Sequence, residues 1–301
     1  MSKSITTSYG LAIREAFSYL LKNYPEVFVI GQGLWSPWYV GNSMTDLDKE
    51  FGVERIIDTP VSESACTGAA VGAALAGMKP IMVHPRMDFM LYAMDAIVNE
   101  AAKWSSMMAG QAHAGVTIRS IINRGGEQGA QHSQALHSWF THIPVLRVVM
   151  PYSVSDARDL LIASVLCGDP VIYIDDRWLY ESEEVLQPVI ELDLKTQTPK
   201  IIKTGEDLTL VSAGYSTYLG VEAAKILLSK GINAEVIDIR VLSPLAPQII
   251  LDSVRKTGRL IAIDGGWSPS GFAGEIIATI SESIDPAQLK SAPKRITLPF
   301  A

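Results

Sequence analysis

The sequence has 301 residues and a formal charge of -7, set by 32 Asp and Glu against 25 Lys and Arg. This balance argues against nucleic acid or an anionic membrane as the partner, and no uncharged apolar run reaches the roughly 20 residues of a membrane span. With 48% hydrophobic and 19% charged residues, the chain suits a globular enzyme of two domains, or one large one, with an extensive core or interface.

Residues 9–21 carry apolar side chains at helical spacing (Leu11, Ile13, Ala16, Phe17, Leu20), and Pro25 stops the run. Residues 27–30 read as a buried strand entering Gly31-Gln32-Gly33-Leu34-Trp35. That segment is not a dinucleotide-binding loop, because the third glycine is missing and no helix pattern begins there. Residues 55–57 form the next strand. Pro60 then biases Thr59 away from helix, and Ser62 is placed as an N-cap. From Ser64 to Gly77 the chain is almost all Ala, Gly, Val and Leu, which predicts a helix able to pack closely on every side. Glu63 would stand in the first turn of this buried helix. A carboxylate there either complements the helix dipole or is held dry to share a proton with a bound nitrogen heterocycle.

Strand 79–83 leads into His84-Pro85-Arg86-Met87-Asp88-Phe89, and residues 93–108 predict an amphipathic helix carrying Asp95, Asn99 and Glu100. Strand 115–122 precedes the glycine-rich loop Arg124-Gly125-Gly126-Glu127-Gln128-Gly129, which ends in His132-Ser133-Gln134. Strand 146–150, helix 155–166 and strand 171–174 complete the first set. Such alternation implies an α/β fold with a mostly parallel, doubly wound sheet. From 181 to 203 the composition shifts to Glu, Gln, Thr and Pro, which reads as a surface linker. Residues 204–301 repeat the alternation, with strands at 208–211, 234–239 and 260–263 and helices at 217–228, 247–254 and 271–283. The expected organisation is a domain over 1–180, a linker over 181–203 and a smaller α/β domain over 204–301.

Ligands of parallel α/β sheets bind beyond the carboxyl ends of the strands. Three such ends carry unusual residues: Glu63, the segment from His84 to Phe89, and the loop ending at His132. Phe89 offers an aromatic face, and His132 a side chain that gives and takes protons. Arg86 and Arg124 are either solvated, paired with carboxylates, or set to meet an anionic substrate or phosphate. Cys66 and Cys167 lack paired-ligand spacing, so neither a disulfide framework nor a zinc site is expected. The polar N-terminus has no apolar signal core, and a reducing, cytoplasmic setting follows as the expectation.

Several stretches together carry a resemblance. They are Asp58-Thr59-Pro60-Val61-Ser62-Glu63, Phe89, Asp95-Ala96-Ile97-Val98-Asn99-Glu100-Ala101-Ala102-Lys103 and His132-Ser133-Gln134. Trp139-Phe140-Thr141-His142-Ile143-Pro144, Val148-Val149-Met150-Pro151, Gly265-Gly266-Trp267 and Gly271-Phe272-Ala273-Gly274-Glu275-Ile276 extend it to the end of the chain in order. The chain resembles the beta subunit of thiamine-diphosphate-dependent 2-oxoacid dehydrogenases, the transketolase-like subunit of the pyruvate, branched-chain and acetoin enzymes. The resemblance implies that Glu63 hydrogen-bonds the aminopyrimidine ring of thiamine diphosphate and drives its imino tautomer. It implies that Phe89 stacks on the pyrimidine, that Val61 supports it, and that His132 handles protons on the bound substrate.

The family holds magnesium and the diphosphate through a Gly-Asp-Gly motif with a later asparagine pair. Asp264-Gly265-Gly266 is the nearest approach here, and no asparagine follows it. Magnesium would therefore come from an alpha partner, with two alpha and two beta chains assembled around a beta dimer and a lipoyl acyltransferase as a possible acceptor. The family's glutamate and glutamine before the aromatic are Val83 and Pro85, and its serine-proline-glutamate after the histidine motif is Ala135-Leu136-His137. The acidic residue tied to a structural potassium ion aligns with Cys167, which puts that ion in doubt. The expected function is decarboxylation of a 2-oxoacid and transfer of the acyl or aldehyde unit. The alternatives are a transketolase-like or acyl-transferring enzyme with a non-lipoyl acceptor, and a non-catalytic scaffold subunit.

Overall fold

Apolar runs without alternation are buried on both faces, and that is how the central strands of the main sheet, Lys79–His84, Thr117–Ile122 and Val171–Asp176, lie. The computed structural model describes residues 5–123 and 129–299. The strands in chain order are β1 (Ile5–Ser8), β2 (Val27–Gln32), β3 (Ile56–Thr59), β4 (Lys79–His84), β5 (Thr117–Ile122), β6 (Arg147–Val149) and β7 (Val171–Asp176). They continue with β8 (Glu183–Leu186), β9 (Lys200–Lys203), β10 (Leu208–Ser212), β11 (Ala234–Asp238), β12 (Val241–Ser243), β13 (Leu260–Trp267) and β14 (Lys294–Leu298). The first sheet has seven strands in the order β12-β6-β7-β5-β4-β2-β3. All its pairings are parallel except β12 with β6. The second has five in the order β14-β13-β10-β11-β9, parallel except for β9.

One face of the first sheet is covered by helices Tyr9–Asn23 and Val154–Leu166, whose Phe17, Leu20, Leu160 and Leu161 share a core with Val29, Ile81 and Tyr173. On the other face, Met82, Ile118 and Ile172 belong to the same apolar cluster as Val211 and Ile237 of the second sheet and Phe272 of the helix Phe272–Ser283. The two sheets thus share one core. Among the described residues, no helix is long and apolar enough to cross a membrane.

Four expectations are corrected. The helix after Ser62, Glu63–Leu75, buries only one stripe (Thr67, Ala70, Val71, Ala74), while Ser64, Ala65, Gly68, Ala69 and Gly72 are exposed. A methyl group added at Gly68 or Gly72 would meet nothing within 4 Å. The expected helix over 93–108 is instead broken into a turn at Leu91–Ala93, a π-helical stretch at Ala96–Ala101 and a short helix at Trp104–Met107. The inserted residue of a π turn shifts the apolar stripe, a change that helical periodicity does not reveal. The stretch 181–203 is not simply draped, since β8 pairs with β1 and β9 forms the antiparallel edge of the second sheet. Finally, β12 leaves the second α/β unit to complete the edge of the first sheet.

Candidate functional site

The carboxyl ends of β2, β3 and β4 open on one cavity of about 590 Å³. Val61, Glu63, Arg86, Phe89 and His132 all line it. Five of the six candidate residues therefore meet at one place. The sixth, Arg124, lies outside the described residues, as does most of its glycine-rich loop.

The turn into the Glu63–Leu75 helix is built by Asp58, whose Oδ1 accepts the N–H groups of Gly33 (2.6 Å) and Leu34 (3.3 Å). Ser62 occupies the N-cap position with φ -160° and ψ 66°, and its side chain makes no capping hydrogen bond. The helix begins at Glu63, which is half-buried, and Val61 is 70% exposed. Among the described residues nothing donates to the Glu63 carboxylate, so it faces the cavity with its acceptor capacity available.

Phe89 lies in the short helical turn Met87–Met90, and its ring meets the His132 ring edge-on with centroids 5.0 Å apart. His132 Nδ1 is buried without a partner among the described residues. A buried polar atom left in this state costs free energy unless a ligand satisfies it. Two neighbours hold these segments together. Asp88, 6% exposed, accepts from Gln134 Nε2 at 2.7 Å and from the Gln134 N–H at 3.3 Å, and the Leu136 N–H points at Met87 Sδ at 3.4 Å.

The cavity wall also contains His84, from the flagged segment, and residues that the sequence did not flag: Gln32, Trp38, Tyr39 and Tyr92. Gln32 ends β2, so the strand-end rule could have found it. Trp38 and Tyr39 come from an irregular segment with no such signal. Burial pushes the His84 imidazole down to about 3, and a 3.1 Å hydrogen bond joins its Nε2 to Thr67 Oγ1 on the Glu63 helix. His84 is thus a neutral brace. Arg86 Nη1 donates to the Pro85 and Tyr39 carbonyls at 2.8 and 3.2 Å, and burial followed by the nearby Arg177 charge lowers its pKa.

Asp264, in the nearest approach to the metal motif, accepts from His137 Nε2 (2.9 Å), Gly266 N–H (2.9 Å) and Ala273 N–H (3.0 Å). Burial works to raise its pKa, and the His137 charge and these donors outweigh it and hold the carboxyl at about 2. Its lone pairs are engaged inside the protein. Among the described residues no group of His, Cys, Asp or Glu is arranged to hold a metal ion.

Residues 6–182 match the transketolase pyrimidine-binding domain family, and residues 198–301 match the transketolase C-terminal domain family. The pyruvate dehydrogenase E1 component subunit beta of Rickettsia bellii is 35% identical, over 96% of this chain and 90% of that protein. The chain belongs to the beta-subunit family of thiamine-diphosphate-dependent 2-oxoacid dehydrogenases. The acetoin:2,6-dichlorophenolindophenol oxidoreductase subunit beta of Cupriavidus necator is 37% identical over 91% of this chain and 84% of that one. The Rhizobium meliloti pyruvate dehydrogenase E1 subunit beta is 34% identical over 96% of this chain, which spans 64% of that longer relative. A split-gene transketolase, solved as an inactive beta4 tetramer, superposes with a TM-score of 0.78 over 98% of this chain and 90% of that one, at 20% identity. That last likeness concerns the fold.

The cavity suits the family's cofactor by its chemistry. It offers an unengaged carboxylate, a buried unpartnered imidazole nitrogen and an aromatic ring on one apolar-walled surface. A nitrogen heterocycle with an amino group complements that set.

Proposed function

We propose that this chain is the pyrimidine-binding half of a heteromeric enzyme that decarboxylates a 2-oxoacid and passes on the acyl or aldehyde unit. The observation carrying this reading is the convergence of the Glu63 carboxylate and the unpartnered His132 Nδ1 on one cavity. Thiamine diphosphate, when bound, supplies a nucleophilic carbon and an electron sink for decarboxylation. Glu63 would share a proton with a ring nitrogen of that group, a task for which a carboxyl without an internal partner is suited. Phe89 and Val61, which line the cavity, would hold the ring, and the edge-on contact of Phe89 orients His132. His132 holds or moves a proton beside the reacting centre.

Magnesium and the diphosphate would be held by an alpha partner, because Asp264 is already engaged by His137 and two backbone N–H groups. The mouth of the cavity supports such a cover: Val61, Trp38 and Tyr92 are 70%, 67% and 72% exposed. Excluding water from the site needs a second protein over them. An assembly of two alpha and two beta chains, with a lipoyl acyltransferase as acceptor, is the matching arrangement. Transfer to a non-lipoyl acceptor is the second reading, favoured by the departures at Val83 and Pro85, of which Pro85 lines the cavity.

Calorimetry with magnesium and thiamine diphosphate, on the chain alone and with its alpha partner, tests the split site. Weak binding alone and tight binding in the complex is the expected result. Tight binding by this chain alone would contradict it.

A further inference from the structure

The cavity wall contributed by Trp38 and Tyr39 is an aromatic turn held mainly by Arg177, which is not among the lining residues, with Arg86 adding one bond to the Tyr39 carbonyl at 3.2 Å. It leaves β2 at Gly33 (φ +67°), where an added Cβ would lie 2.5 Å from the Tyr39 ring, and ends at Gly41 (φ +61°), where one would lie 2.9 Å from the Tyr180 ring. Both positions need glycine for conformation and for space. Between them a single helical turn, Pro37–Val40, has four carbonyls to satisfy, and each finds a donor. Arg177 Nη2 donates to the Pro37 carbonyl at 3.2 Å, and Arg177 Nη1 to those of Trp38 and Tyr39 at 3.3 Å each. Ser43 Oγ donates to the Val40 carbonyl at 2.6 Å.

The same guanidinium is itself fixed. Its Nη1 reaches Asn123 Oδ1 at 3.1 Å, and its carbon lies 5.8 Å from the centre of the Tyr180 ring. Tyr180 donates to Asp175 at 2.6 Å, and Asp175 makes two 2.9 Å bonds with fully buried Arg119, which also donates to Ser43 Oγ. The planar fork of an arginine can reach successive carbonyls in a way that a lysine cannot. The end of β7 therefore sets where the Trp38 and Tyr39 side chains stand in the cavity.

We infer that the Trp38–Tyr39 turn is the wall that reads the carbon chain of the 2-oxoacid, selecting apolar chains longer than a methyl group, and that Arg177 is its positioning residue. The inference rests on the thiamine reading of the cavity. The donors of Arg177 are turned onto backbone carbonyls and Asn123 Oδ1, so the turn itself presents the Trp38 and Tyr39 rings to the cavity. A well-held apolar wall distinguishes substrates by about 10- to 200-fold per methylene-sized difference, and a loosened one loses that ratio.

The test compares wild type, Arg177→Met and Arg177→Lys in complex with the alpha partner, with two readouts. The first is hydrogen–deuterium exchange across residues 33–41, with residues 56–59 as the internal reference. The second is the ratio of kcat/KM for a branched-chain 2-oxoacid to that for pyruvate. Arg177→Met should raise exchange in 33–41 at least about threefold and lower the ratio about tenfold or more, through KM rather than kcat. Arg177→Lys should fall between the two. Unchanged exchange would overturn the positioning role, and faster exchange with an unchanged ratio would overturn the specificity role. A wild type that turns over no 2-oxoacid would instead overturn the thiamine reading and the specificity role with it. The exchange comparison would still decide whether Arg177 holds the wall.

Discussion

The two sheets obey the same α/β logic, yet their strand ends have opposite fates. At the carboxyl ends of β2, β3 and β4 the protein leaves about 590 Å³ open, with a carboxylate and an imidazole nitrogen unengaged. At the corresponding ends of β10 and β13, the space between Ser212, Asp264, His137 and Phe272 shrinks to about 10 Å³. There the His137–Asp264 pair and apolar contacts fill what could have been a crevice. An open strand end marks the site of chemistry, while a filled one locks two units together. The second sheet serves the first by holding the helix that follows the His132 loop.

If that contrast is right, substitutions at the two strand ends should separate activity from stability. At the open end, His132→Gln should lower turnover by about 10²–10⁴-fold, the range for a positioned proton-transfer group, with the thermal midpoint unmoved. At the closed end, Asp264→Leu should cost about 3–5 kcal/mol, because His137 and two N–H groups lose a buried partner. Denaturant unfolding measures the second effect, and activity should follow only the folded fraction. The Asp264 pair also predicts an acid limit. A carboxyl lowered to about 2 contributes fully above its unfolded value of roughly 4 and loses that contribution as pH falls toward 2.

A second effect separates the closed end by pH in the other direction. Burial and then the charge of Asp156 push Asp238 up to about 8, although Thr217 donates to it at 3.1 Å. An acid raised in the fold stabilises below its unfolded pKa and loses that contribution as pH rises through the folded one. The thermal midpoint of the wild type should therefore fall between about pH 4 and pH 8, and Asp238→Asn should flatten that slope. A slope that persists in Asp238→Asn would assign it to another group. The mildest change belongs to the open end. Thr67→Val removes the brace on His84 and should cost about 1 kcal/mol, with turnover affected less than stability.

Much of the frame was legible in the sequence. Runs such as residues 27–30 and 79–83 are apolar without alternation, and the structure makes them strands of a parallel sheet. The helices Tyr9–Asn23 and Val154–Leu166 followed from their apolar spacing. What escaped was non-local. The pairing of β12 with β6 joins residues far apart in the chain, and no short-range pattern announces it. The π-helical stretch at Ala96–Ala101 keeps helical composition while changing its period. In the small-residue helix, size alone does not say which face has a neighbour, so its single buried stripe is invisible in the sequence. In the site, strand ends pointed to Glu63, Phe89 and His132. Trp38 and Tyr39 stayed hidden because their place depends on Arg177, which lies far along the chain.

The central claim is that the Glu63 carboxyl manages a proton on the ring of thiamine diphosphate. Exchange of the thiazolium carbon proton, followed by NMR in the complex with the alpha partner, reads that step without a substrate. Fast exchange in the wild type, slowed about 100-fold or more in a well-folded Glu63→Gln, is the predicted result. Wild-type exchange in Glu63→Gln would contradict the account.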